Sequence, residues 1–140
     1  MIYFSKHFTY EELIHTSTGL TNKPTNQVYY NLISTAKQLE QVRDLLKEPI
    51  HPTSGYRSEK VNKKVGGSTN SAHLYGYAVD FKLTKTPHLE AVKIISESGI
   101  KYDQLILEYG WIHISFDPRY RHQDLTKKSK DSPYLQGFHE

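Results

Sequence analysis

The 140-residue chain contains no cysteine, one methionine and one tryptophan. Without thiols it forms neither a disulfide nor a thiolate zinc site, so any metal must be held by histidine or carboxylate, and cysteine usage says nothing of the redox compartment. No run approaches the 18 apolar residues of a membrane span, and the opening MIYFSKHFTYEEL lacks the apolar core of a secretion signal. Cytoplasmic synthesis without a signal peptide is the expectation. Excess positive charge is also scarce, with 18 Lys and Arg against 15 Asp and Glu for a net +3, and no nucleic-acid motif accompanies the basic residues, so nucleic acid is not an expected partner. No internal repeat is visible. At 36% hydrophobic content and this length, the chain is expected to be one domain, a monomer with room for a core but not for a catalytic unit plus a separate binding module.

What is present is a set of histidines and carboxylates at suggestive spacings. In Ser71 to Asp80, SAHLYGYAVD, a histidine and an aspartate stand seven positions apart around Gly76. Tyr77, Val79, Phe81 and Leu83 alternate as in a half-buried strand, which puts Asp80 on the opposite face. His73 precedes that strand, and Gly76 supplies the backbone freedom to fold the imidazole back towards the carboxylate. Two such ligands occur often by chance, and a loop histidine beside a solvent-facing aspartate is the plain alternative.

The stretch from 104 to 116, QLILEYGWIHISF, answers them. It reads as two short strands joined at Tyr109 and Gly110, with the phase of alternation changing across the glycine. Leu105 and Leu107 share one face before the turn, and Ile112, Ile114 and Phe116 share it afterwards. Glu108 and His113 therefore fall together on the polar face. A two-residue hairpin pairs Glu108 with Trp111 and Ile106 with His113, leaving Glu108 diagonal to His113. His73, Asp80 and His113 are thus expected to bind one zinc ion and leave a fourth position for water, the open arrangement of a catalytic site, with Glu108 as candidate base.

These residues resemble the zinc-dependent peptidoglycan peptidases of family M15, which include D-Ala-D-Ala carboxypeptidases and L-Ala-D-Glu endopeptidases. The family pattern S-x-H-x-x-G-x-A-x-D is met at Ser71, His73, Gly76, Ala78 and Asp80. W-x-H is met at Trp111 and His113, and S-G-Y-R at Ser54 to Arg57. F-T-x-x-E-L and G-G-x-x-N-S also occur in order, so the likeness covers residues from about 8 to 116. Members carry the acid-base residue three or five positions before the last histidine; the third is Gly110 here, which leaves Glu108. The resemblance implies a peptidase acting on the peptide stem of peptidoglycan. It further implies that Arg57 meets a substrate carboxylate or peptide oxygen, with Ser71, Tyr75 and Trp111 as further substrate contacts. A short chain without a signal or a wall-binding module looks like a phage lysin that reaches the wall after holin-dependent release, which favours the L-Ala-D-Glu bond over terminal D-Ala. Hedgehog signalling domains resemble these enzymes too, so a zinc-bearing binding module is the competing class.

The remaining chain supplies scaffold. A T-x-x-E capping box at Thr9 and Glu12, flanked by Phe8 and Leu13, starts a short helix. Residues 26 to 46 carry a helical stripe of Val28, Leu32, Ala36, Leu39, Val42 and Leu46. Ser58 caps a helix running to Val65, and Pro87 is expected at the first position of another that Gly99 ends. Strands are expected near 50–56, 77–83, 104–109 and 111–116. Together these make an α+β fold, hedgehog- and DD-peptidase-like, with a small, largely antiparallel sheet. A catalytic region is expected over 1–116, and 117–140 is expected as a basic tail of the same domain, solvated or partly ordered. Asp103 is the first alternative base. The other six histidines lack ligand spacing, and of these His51 alone is a candidate to face the cleft.

Overall fold

The computed structural model describes all residues from Met1 to Glu140. Its elements are α1 (Tyr10–Ile14), α2 (Asn26–Leu46), β1 (His51–Ser54), α3 (Glu59–Lys64), a 3-10 turn (Ala72–Tyr75), β2 (Ala78–Lys82), α4 (His88–Glu97), β3 (Gln104–Leu107), β4 (Ile112–Ser115), β5 (Gln123–Thr126) and β6 (Leu135–Gln136). The fold is α+β, as the element pattern predicts. One six-stranded sheet runs in the order β1-β2-β4-β3-β5-β6, and every pair is antiparallel except β3–β5.

Local chemistry explains why the elements start and stop where they do. Thr9 and Glu12 form the complete capping box of α1, and Thr25 and Ser58 accept from the backbone at the starts of α2 and α3. Helix α2 ends at Lys47, which takes a left-handed conformation and donates its N–H to Arg43 O. Pro87 stands one place earlier than expected, just before α4, where its missing N–H costs no helical bond. The apolar stripe of α2 buries Leu32, Ala36, Leu39 and Val42. They pack with Ala91, Val92 and Ile95 of α4 and with the inner sheet face of Val79, Phe81, Leu105, Ile112 and Ile114. The helices cover this face, so the other face of the sheet is left for the site.

Two expectations are corrected. Residues 117–140 do not form a solvated tail: they add β5 and β6 to the sheet, with Leu125 and Thr126 buried. QDLT has one apolar residue and no alternation, so its strand identity comes from backbone pairing with β3 rather than from its own pattern. The strand expected to be half-buried around Asp80 is not open on either face. Ala78 through Phe81 are buried on both sides of β2, because loops cover the polar face as well.

Candidate metal centre and cleft

Strand register assembles the centre. On adjacent antiparallel strands Asp80 lies opposite His113, and His113 opposite Ile106, so all three share a face. The Tyr109-Gly110 turn returns β4 on β3 as expected, with Glu108 N–H donating to Trp111 O at 3.0 Å and Gly110 at φ +120°. His73 arrives from the 3-10 turn. Ser71 Oγ accepts from its backbone N–H at 3.2 Å, and Gly76, at φ +76°, closes the turn. A Cβ there would sit 3.1 Å from both Val28 O and Val28 Cγ1, so the turn is fitted against α2 as well as left-handed. Helix α2 also fixes the turn from outside, through Thr35 Oγ1 to Gly76 O at 2.7 Å and Asn31 Nδ2 to Tyr75 O at 2.9 Å.

The three side chains converge as ligands do. His73 Nε2 lies 3.2 Å and His113 Nδ1 2.9 Å from the same oxygen, Asp80 Oδ1, and the three ligand atoms all fall within 4.8 Å of one another. A tetrahedral zinc ion with bonds of roughly 2.0–2.1 Å would hold its ligand atoms about 3.3 Å apart. The tautomer supports a cation between them. His73 Nδ1 is 2.6 Å from Gly55 O, which can only accept, so Nδ1 carries the proton and Nε2 points a lone pair at the carboxylate. Burial drives the His73 pKa down, against the approach of Asp80, and so disfavours a second proton as that cation. Burial alone would raise the Asp80 pKa, but the two imidazoles hold it well below the usual carboxylate range. His113 Nε2 is buried without a partner. All three ligands are buried, and two imidazoles with one carboxylate are a donor set that fits one Zn2+.

Arg57 lies beside the ligands and lines the cleft. Its Nη2 donates to Asp80 Oδ2 at 3.1 Å, Nε to Ser54 Oγ at 3.1 Å and Nη1 to Asn62 Oδ1 at 3.3 Å. Three of the five N–H donors of a guanidinium are thereby used, and the one on Asp80 fixes the carboxylate so that Oδ1 faces the histidines. Asn62, buried and braced by its Nδ2 bond to Ser68 O, escaped sequence reasoning. The only signal for it was its place in the helix that follows Arg57.

These residues open into a cleft of about 840 Å³ on the sheet face, lined also by Ser71, Tyr75, Glu108 and Trp111. Along the strands it passes His113 in both directions, towards Tyr109 at one end and Gln104 and Asp117 at the other. Glu108 is half-buried there, and burial raises its pKa, with His113 pulling the other way. Asp103 lines the same cleft but is engaged by Arg121 at 2.8 and 2.7 Å, and its pKa is lowered: these bonds outweigh burial. His51 is exposed and does not line the cleft. Lys127, Lys130 and Tyr134, from the segment expected to be a tail, do line it.

A mononuclear His-Asp-His centre, with a carboxylate beside it in a peptide-sized cleft, defines a metal-dependent hydrolase type of site. Residues 6–115 match the family described as Peptidase M15, and the chain belongs to that family. A zinc D-Ala-D-Ala carboxypeptidase from Streptomyces albus G is 34% identical over 79 residues, a stretch covering 53% of this chain and 30% of that protein. No helix is long and apolar enough to cross a membrane.

Proposed function

We propose that the chain is a zinc-dependent peptidase of the peptide stem of bacterial peptidoglycan, acting as an L-Ala-D-Glu endopeptidase of the phage-lysin type. The observation that carries this reading is the convergence of His73, Asp80 and His113 with Glu108 in one cleft of a Peptidase M15 chain. Bound zinc would polarise the scissile carbonyl and acidify a water. The chain's own residues do the rest. His73 presents Nε2 because Gly55 O holds the proton on Nδ1. Arg57 orients Asp80 through Oδ2, and its remaining N–H donors are available to a substrate oxygen. Glu108 takes a proton from the attacking water and returns it to the leaving amine, a role suited to a carboxylate whose pKa burial has raised. Ser71, Tyr75 and Trp111 flank the peptide.

The peptidoglycan substrate is supported by the name of the Streptomyces relative. An internal bond is supported by a cleft that continues past His113 in both directions, since a peptide cut inside its chain must extend on both sides. Mass spectrometry of digested muropeptides tests the reading. Fragments ending at L-Ala are expected; free D-Ala with intact L-Ala-D-Glu would make it a carboxypeptidase, and no cleavage by the zinc-loaded protein would refute peptidase function.

A further inference from the structure

One wall of the cleft comes from beyond the family match, which stops at residue 115. Leu125 of β5 lies opposite Ile106 of β3, so the next position on that face, Lys127, stands beside Glu108; its backbone N–H donates to Leu107 O at 2.9 Å. The side chain is held in place. Lys127 Nζ donates to Ser132 O at 2.7 Å and sits 4.5 Å from the centre of the Tyr134 ring. Lys130 reaches the opposite wall: a Cβ on Gly66 would lie 3.1 Å from its Cε and 3.2 Å from its Nζ. No carboxylate is within ion-pair distance of either lysine. The other cations of the cleft are already engaged: Arg57 by Asp80, Ser54 and Asn62, Arg119 by Asp117, and Arg121 by Asp103.

Two ammonium groups on facing sides of a peptide-sized cleft, one anchored by a carbonyl and a ring, lack an anion. We infer that Lys127 and Lys130 form a carboxylate-binding subsite that positions the substrate peptide beside Glu108. This rests on the peptide-stem reading for its ligand, but the subsite itself is built from this chain's C-terminal residues. A stem peptide carries two candidate carboxylates, the α-carboxylate of D-Glu and that of its terminal D-Ala, and the shared chemistry is a peptide carboxylate one or a few residues from the bond cut.

The test uses the zinc-loaded full chain carrying Glu108→Gln, so that ligand is bound without turnover, and calorimetry with a stem peptide from L-Ala through D-Glu to D-Ala. Three forms are compared: both carboxylates free, the D-Glu α-carboxylate amidated, and the C-terminus amidated. One amidation should weaken binding about 10- to 100-fold, the range for a hydrogen bond to a charged group, and that form identifies the carboxylate. The penalty should vanish in the pair Lys127→Met, Lys130→Met, with affinity for the amide unchanged, and should persist in Lys127→Arg, Lys130→Arg. Equal binding of all three forms, or a full penalty in the methionine pair, overturns the subsite. If the wild-type chain fails to cut the peptide while the penalty holds, the peptidase reading fails and the subsite stands.

Discussion

Asp80 is the residue on which the site turns, because its two oxygens serve different partners. Oδ1 faces both histidines, and Oδ2 is held by Arg57. Replacing His73 or His113 by Ala should abolish stoichiometric zinc binding in elemental analysis of the purified protein, and activity with it. Arg57→Met should weaken zinc affinity by roughly 10- to 100-fold, the usual effect of losing a group that orients a ligand; chelator competition measures it, and unchanged affinity would leave Arg57 a substrate contact only. Glu108→Gln should keep the metal and slow muropeptide hydrolysis by about 10²–10⁴-fold, as expected for a positioned general base. Near-normal turnover would move the base elsewhere, though Asp103 is already tied to Arg121.

At the scale of elements, what the sequence makes legible divides by range. The hairpin around Gly110, the capping box at Thr9 and the stripe of α2 are readable because each is a local rule: a turn, a cap, a period. His73, Asp80, Glu108 and His113 follow from strand phase and spacing. Asn62, Lys127 and Lys130 do not, since nothing near them in the chain announces partners that only the tertiary fold brings close. Two contacts between elements are open to test. A Cβ on Gly55 would lie 2.4 Å from Leu13 O, the acceptor of the Tyr56 N–H, so Gly55→Ala must push β1 off α1. A loss of roughly 1–3 kcal/mol is expected from overpacking, read as a lower urea midpoint. Glu48 ties the loop before α4 to the end of α2 by accepting from the Lys85 and Thr86 N–H groups and the Thr86 hydroxyl. Burial opposes the charge, yet these bonds lower its pKa below 4.5. A lowered carboxyl contributes stability above its unfolded value and loses it as pH falls through the folded value. Glu48→Gln should therefore narrow the stability gap between pH 7 and pH 3 in denaturation curves; an unchanged gap would show that this carboxylate carries none of it.

The whole molecule is held together at its end as much as at its motifs. β5 covers the edge of β3 by the sheet's one parallel pairing, and Asp103, buried at the start of β3, accepts from Arg121 on the way into β5. Removing residues 117–140 would strip the partner from β3 and leave Asp103 without its guanidinium, so the shortened chain should lose its cooperative thermal transition in circular dichroism. A sharp transition near that of the full chain would show that the sheet closes without β5.

The same pairing sets an order in time. β3 and β4 are joined by a two-residue turn and pair locally, whereas β5 lies parallel to β3 and reaches its far edge only through the loop from 116 to 122, so its pairing closes after that of the hairpin. The cleft is therefore complete only once β5 has docked, and a chain interrupted before Lys127 carries all three ligand residues yet lacks one wall of the groove.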